Sequence, residues 1–298
     1  MDLSIIILSY NSKTDLEHLL PSVFQSVDVG FGVGYVKPYT GEVIVVDNGS
    51  TDGTWEWLKR WQMESSTQSV QIIKNINSGF SKGNNLGIKR ATGDYVLLLN
   101  PDTRLESNTL SVMLDFMNAN PEVGISGCKL IKGNGQLDLA CRRRFPDLTN
   151  AFLRLFLGHN LQYNYSDISE DQSMEVDSVV GAFLLIRRSV MDTIGLLDED
   201  FFMYGEDLDW CWRCKAIGKK VWYYPKVTCY HFKGSASARV SFKALKWFYE
   251  AMWIFYKKHY LSRHSKLVGG LVWVGIKIRY FIAIVQNSLR KEKFVSKR

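Results

Sequence analysis

LLLNPDTRL, residues 97–105, runs three leucines straight into Asn100, Pro101 and Asp102. An apolar run of this length reads as a buried strand, and Pro101, which has no N–H to donate, ends it. In an open α/β sheet, the residues just past a strand lie at the carboxyl edge, where such folds place their ligands. Asn, Pro and Asp are also favoured in ordinary turns. Taken alone, the stretch fits a ligand-facing edge and a plain turn equally well, and its neighbours must decide.

Upstream, LSIIILS (residues 3–9) is an apolar, β-branched run of strand length. Residues 13–25 carry Leu16, Leu19, Leu20 and Val23 at helical spacing. GEVIVVDNGSTDGT (41–54) predicts a second buried strand ending at Asp47 and a turn that opens a helix at Thr54. SVQIIKN (69–75) predicts a third strand, NSGFSKGNNLGIKRATG (77–93) a Gly-rich loop and helix, and DYVLLLN (94–100) the fourth strand. Strands alternating with helices through short connections predict a parallel sheet with right-handed crossovers, a Rossmann-type nucleotide-binding half. Downstream, a helix is expected over residues 105–118, then a strand in GISGCKLI (124–131). A strand and helix come next in VDSVVGAFLLIRRSVMDTIG (176–195), and one or two strands in KKVWYYPKVTCYHF (219–232).

Polar groups stand at the carboxyl end of each of the four early strands: Tyr10 and Asn11, then Asp47 to Asp52, then Asn77 to Gly79, then Asn100 to Asp102. Four such ends in register favour the ligand-facing edge. No GxGxxG and no P-loop is present to cradle a phosphate. A divalent cation, Mg²⁺ or Mn²⁺, held by a carboxylate is the substitute, because Mg²⁺ is commonly bound by one or two carboxylates plus phosphate oxygens of the substrate. Asp102 is placed to hold it, with Pro101 fixing the turn.

FFMYGEDLDWCWR (201–213) crowds Glu206, Asp207 and Asp209 beside Trp210 and Trp212. Acidic residues favour a helix N-terminus. Crowded carboxylates also raise one another's pKa, which suits a general base, and aromatic walls suit sugar rings. In YHFKGSAS (230–237), His231 ends a late strand before a Gly-Ser-rich loop, and reads either as a structural group or as a ligand. Cys211 and Cys214 form a CxxC with no second CxxC or paired His, so they read as helix packing rather than a zinc site. The five cysteines have no framework spacing, in keeping with a reducing compartment.

The chain has 298 residues, 46% of them hydrophobic and 13% aromatic, a composition that excludes disorder. Its opening run is too short, and lacks the basic flank, for a secretory signal. The net charge of +7 is unevenly placed. From Arg239 to Arg298, 14 Lys and Arg oppose Glu250 and Glu292, a balance of +12 that leaves −5 for residues 1–238. KALKWFYEAMWIFYKKHY (243–260) mixes aromatics and lysines in a helical pattern. LVGGLVWVGIKIRYFIAIVQ (267–286) is long enough to span a bilayer, but Lys277 and Arg279 near its middle would each cost roughly 2.5–3.5 kcal/mol there. A helix lying on an anionic membrane surface fits the charge. A helix packed on the body, or in an oligomer, remains open. No nucleic-acid recognition motif accompanies the basic residues, so nucleic acid is not an expected partner.

Taken together, SYN (9–11), VVDNGSTDGT (45–54), NSGFSKGNNLGI (77–88), LLLNPDT (97–103), VGAFLLIRR (180–188), FFMYGEDLDWCWR and HFKGSAS resemble the inverting family 2 glycosyltransferases of GT-A fold, within them the bacterial rhamnosyltransferase-like branch. The resemblance spans residues 3–238. It implies a GT-A fold: α/β, with a Rossmann-like nucleotide-binding half and a mixed central sheet, to which the pattern of residues 243–286 adds C-terminal amphipathic helices. Ser9, Tyr10, Asn11, Asp47, Asn48, Ser50, Asn77, Gly79, Asn84 and Asn100 would then meet the donor nucleotide, with Tyr10 facing the base and Asp47 accepting from its ring imide. Asp102 looks like the last carboxylate of the family's DxD, and His231 like a late nucleotide or metal contact. Asn100 departs from that motif's first Asp, in the NPD form common in the rhamnosyltransferase-like branch. Asp207 is similar to the catalytic base, and Glu206, Asp209 and Trp210 would shape the acceptor pocket.

The expected activity is inverting transfer of L-rhamnose from dTDP-rhamnose to a lipid-linked or growing polysaccharide acceptor, at the inner face of the cytoplasmic membrane. A UDP-hexose or UDP-N-acetylhexosamine donor is the alternative within the family. A non-catalytic nucleotide-sugar scaffold is the alternative outside it, and the presence of Asp207 argues for the enzyme. The divisions expected are residues 1–105 for the donor, 106–238 for acceptor and catalysis, and 239–298 for a basic membrane-associating tail.

Overall fold

The computed structural model describes residues 1–25, 39–64, 70–146, 163–232 and 241–289. The Gly-Ser-rich loop after Phe232 and the basic end from Arg290 onward lie outside these residues.

The first half alternates as its apolar runs require. Strands β1 (Leu3–Ser9), β2 (Gly41–Asn48), β3 (Val70–Asn75) and β4 (Tyr95–Leu99) alternate with helices α1 (Lys13–Gln25), α2 (Thr54–Glu64) and α3 (Phe80–Ile88). β1, β2 and β4 are buried on nearly every residue, the pattern of strands covered on both faces. β1 pairs in parallel with β2 and with β4, and β2 in parallel with β3, so their carboxyl ends share one edge. Gly83 and Gly87 let α3 approach closely, since a Cβ on either would meet Leu8 or Ile6 at 2.5–2.6 Å.

Beyond β4 the sheet becomes mixed. Its described strands run β3-β2-β1-β4-β8-β6-β9-β5, where β5 is Thr103–Leu105, β6 Val123–Lys132, β8 Phe183–Arg187 and β9 Lys220–His231. A two-residue strand β7 (Met174–Glu175) also pairs with β9. Helix α4 (Thr109–Ala119) starts four residues later than the sequence predicts, because Thr103–Leu105 form β5 instead. That short strand lies antiparallel to β9 with Thr103 opposite His231, which sets Asp102 beside the histidine. The β9 segment is a single strand. Its pairing with β6 jumps from Tyr224 to Thr228, and Pro225, which cannot donate to a ladder, falls within the jump.

Helices α5 (Arg188–Ile194) and α6 (Glu206–Ala216) complete the body, and α7 (Ser241–His259) and α8 (Lys266–Leu289) form the C-terminal segment. α7 is not a detached tail. Its Ala251 and Phe255 share a buried cluster with Phe201, and Trp247 stacks on Phe202 at 4.4 Å. Lys258 pairs with Asp198 and Asp200 at 2.7 and 2.6 Å. The boundary expected at residue 239 lies outside the described residues, and the helix that follows it packs on residues 198–202 of the preceding division.

Candidate active site

Ser9 and Asp47 are register partners at the carboxyl ends of β1 and β2, and both are buried. Asp47 Oδ1 accepts from the Ser50 amide at 3.4 Å, while Asp47 Oδ2 and Ser9 Oγ meet no partner among the described residues. Burial holds Asp47 above the usual carboxylate range despite the Ser50 contacts. A buried, half-satisfied carboxylate is costly unless a donor arrives. Tyr10 is half-buried at the end of β1. Asn11 adopts φ 53° and closes the edge: its amide donates to Ser50 Oγ at 2.9 Å, and its Oδ1 accepts from the Thr51 amide at 2.8 Å.

The remaining amides of this edge mostly knit its loops. Asn48 donates to Asn77 Oδ1 and the Gly79 carbonyl, both at 3.3 Å, and accepts from Asn75 Nδ2 at 2.9 Å. Asn84 is buried on α3 and donates back to the Phe80 carbonyl at 3.0 Å. Gly79 has φ 93°, and a Cβ there would meet the Phe202 carbonyl at 2.6 Å, so only glycine fits. The Phe80 amide and Ser81 hydroxyl also donate to the carbonyls of Phe202 and Phe201. The NSGFS loop is thereby fastened to the FFMYGED loop.

Asn100 and Asp102 face the same edge from the turn between β4 and β5, each half-buried. His231 Nε2 lies 3.4 Å from Asp102 Oδ1, and its Nδ1 lies 2.9 Å from Asp138 Oδ2. Burial opposes the charged imidazole, but the hydrogen bonds to Asp102 and Asp138 push His231 up to about 9. An imidazole oriented through its second nitrogen by a carboxylate is how metal-ligating histidines are usually held. Asp138 gave no signal in the sequence, being 93 positions from its partner. No group of three or more potential ligands gathers here among the described residues. Asp102 could thus hold a cation whose coordination is completed by substrate phosphate and water, with His231 joining as a ligand only on losing its Nε2 proton to the incoming ion.

The acidic cluster opens α6 behind Gly205, at φ 84°. Asp207 Oδ2 accepts from Arg143 Nη2 at 2.9 Å and from the Gly181 amide at 3.1 Å, and Oδ1 accepts from the Leu208 amide at 2.7 Å. Arg143 is fixed in turn on Ser178 Oγ and the Val179 carbonyl. Gly181 touches Asp207, and the next residue, Ala182, accepts from the Asn100 amide at 3.1 Å, so one loop links the acidic helix to the NPD turn. Burial and the adjacent Asp207 push Glu206 up to about 8, and its Oε2 is buried without a partner among the described residues.

Two residues expected at the acceptor face elsewhere. Asp209 lies about 200° around the helix from Asp207. It is buried between Arg213 at 2.7 Å and His259 of α7 at 2.8 Å, and those contacts outweigh burial to hold it below its ordinary value. Trp210 is fully buried with its indole donating to the Gly195 carbonyl at 2.8 Å, so it is core and not pocket wall. Cys211 and Cys214 are buried free thiols raised by burial, as helix packing requires.

A mixed sheet whose parallel half ends in this polar edge, with an acidic helix facing the switch to the antiparallel half, defines a GT-A fold. The Staphylococcus aureus TarS structure in complex with UDP-GlcNAc has a TM-score of 0.58 at 18% identity, covering 95% of this chain and 73% of that one. The Pyrobaculum calidifontis mannosyltransferase PcManGT, in complex with GDP-Man and Mn²⁺, has a TM-score of 0.58 at 17% identity, covering 96% and 74%. These likenesses show the fold. The chain belongs to glycosyl transferase family 2, which matches residues 4–195. Among curated relatives, the poly-β-1,6-N-acetyl-D-glucosamine synthase of Staphylococcus epidermidis is 22% identical, covering 96% of this chain and 66% of its own length. The N-acetylglucosaminyl-diphospho-decaprenol L-rhamnosyltransferase of Mycobacterium tuberculosis is 24% identical, covering 88% and 85%. The chain spans 44% of another, longer TarS chain.

Proposed function

We propose that this protein transfers a sugar, best taken as L-rhamnose from dTDP-rhamnose, to a lipid-linked or growing polysaccharide acceptor, with inversion at the anomeric carbon. The observation that carries the donor site is the buried Asp47 oxygen with no partner among the described residues, at an edge where four strands end in polar groups. A ring imide N–H would satisfy that oxygen, with Tyr10 beside it, Asn100 within reach of the ribose, and Ser9, Asn11, Asn48, Ser50, Asn77, Gly79 and Asn84 building the surrounding wall. The relative named as a decaprenol-linked rhamnosyltransferase supports the sugar and the lipid-linked acceptor.

Asp102, with His231 oriented by Asp138, would hold Mg²⁺ or Mn²⁺. Bound there, the cation supplies charge neutralisation for the departing diphosphate. Asp207 is the proposed base. It takes the proton from an acceptor hydroxyl as that oxygen bonds to the anomeric carbon. The bond from that carbon to the diphosphate breaks on the opposite side, and its electron pair leaves with the nucleotide. Arg143 and the Gly181 amide fix the carboxylate. Glu206, on the neighbouring position of the helix, borders the acceptor. With a lipid-linked acceptor and a nucleotide-activated donor, the transfer would take place at the inner face of the cytoplasmic membrane.

A UDP-hexose or UDP-N-acetylhexosamine donor is the second reading, favoured by the TarS complex with UDP-GlcNAc and the glucosamine-polymer synthase. Offering the protein dTDP-rhamnose, UDP-glucose and UDP-GlcNAc with Mn²⁺ or Mg²⁺ and a polyprenyl-diphosphate-sugar acceptor separates them. Turnover of dTDP-rhamnose supports the first reading and turnover of a UDP sugar the second. Consumption of none contradicts both.

A further inference from the structure

Helix α8 presents two unlike faces. Gly269, Ile276 and Asn287 are buried on one, and Tyr280 there meets Tyr249 of α7 at a ring distance of 5.5 Å. The other carries Leu267, Leu271, Val274, Ile278, Phe281 and Val285, spaced three and four residues apart, with Leu267 74% and Phe281 67% exposed. At 3.6 residues per turn these six fall on one stripe about 80° wide, with Lys277 about 80° to one side of its axis and Arg279 about 120° to the other. No Asp or Glu occurs between Lys266 and Leu289.

Three occupants compete for such a stripe. A second copy of α8 would bring Lys277 and Arg279 against their own kind with no acidic residue to answer them, where helix pairs place complementary charges. A span is long enough, since 24 residues reach about 36 Å against roughly 30 Å of hydrocarbon. It would require α8 to leave α7, stripping Ile276 and Tyr280 of their packing and leaving Asn287 in lipid. An anionic lipid surface matches both features at once: apolar stripe inward, basic flanks at headgroup level.

We propose that α8 lies in the plane of an anionic bilayer, its Leu267–Val285 stripe in the acyl boundary and Lys277 and Arg279 at the headgroups, while its other face stays on α7. This placement gives the membrane reading a face and an orientation, and rests on that reading only for where the acceptor waits. α7 is joined to the acidic helix by His259 on Asp209 and, through Lys258, to Asp198 and Asp200 just ahead of the FFMYGED loop. Docking α8 therefore fixes the height of Asp207 over the lipid surface.

The test needs no sugar donor, so its failure and that of the transferase reading are distinguishable. Full-length protein is sedimented with phosphatidylcholine vesicles with and without phosphatidylglycerol, beside a K277E/R279E variant and an L271E/F281E variant, with thermal melts to confirm that each is folded. The expected result is binding that needs the anionic lipid, is partly released by salt, and is washed off by alkaline carbonate. The charge variant should lose at least roughly 25-fold in partitioning, at about fivefold for each basic residue removed and more for the acid put in its place, and the stripe variant should lose binding at every salt concentration. Equal binding by folded variants and wild type would overturn the proposal. So would carbonate-resistant retention, which marks a span, or a lipid-independent dimer abolished by L271E/F281E, which marks a second copy.

Discussion

At Asp47, the end of β2 buries a carboxylate with one oxygen unanswered among the described residues, and burial raises its pKa. A folded value above the unfolded one costs nothing at pH below the ordinary Asp range, and the penalty grows as pH rises through it. Asp47→Asn should therefore raise the melting temperature of the free protein at neutral pH, leave it unchanged in strong acid, and weaken nucleotide binding. Calorimetric melts at both pH values check the first two, and titration with nucleotide the third. Glu206 obeys the same sign. With its value near 8 against an ordinary 4.5, the burden sets in above about 4.5 and levels off near 8. Glu206→Gln should thus stabilise the protein increasingly across that window, and a flat difference between the two melts would place the charge elsewhere. Asp207 is engaged by Arg143 and two backbone amides. Asp207→Asn keeps the shape and should lower transfer about 10²–10⁴-fold with donor affinity near wild type. A variant that keeps most of its rate would move the base to Glu206.

Among the elements, α7 makes the sharpest difference to how the chain can be cut. Deleting from Lys266 removes α8 and should leave the body folded, with a modest change in melting temperature. Deleting from Arg239 strips Phe201, Phe202 and Trp212 of their cover and leaves buried Asp209 without His259, and the melt should collapse. Phe255→Ala, which empties the middle of that contact, should cost about 3–5 kcal/mol. Melts of the three variants check this. The strands of the first half were legible because each is a continuous apolar run ending at a turn residue. β5 was not, since three residues carry no periodicity and pair only with a strand more than a hundred positions later. Asp138 and Arg143 were hidden for the same reason: each is defined by a long-range partner, His231 or Asp207. The acids of α6 were legible as a cluster but not by direction. A helix turns about 100° per residue, so Asp207 and Asp209 face different neighbours.

Across the whole molecule, a mildly acidic body and a strongly basic C-terminal segment meet at the helix that carries Asp207. The parallel half of the sheet gathers Asp47, Asn100 and Asp102 at one edge, and the mixed half brings His231 and Asp207 to it. That edge, read as a nucleoside-diphosphate-sugar site completed by a cation, is the claim on which the rest depends. Calorimetric titration of dTDP-rhamnose, UDP-GlcNAc and their free nucleoside diphosphates into wild type and Asp102→Ala, each with Mn²⁺ and with EDTA, tests it most directly. The expected result is saturable binding of one nucleotide series by wild type with Mn²⁺, sharply weakened by EDTA and weakened to the same level in Asp102→Ala. Affinity that is equal with and without the cation, or undiminished in Asp102→Ala, would contradict it.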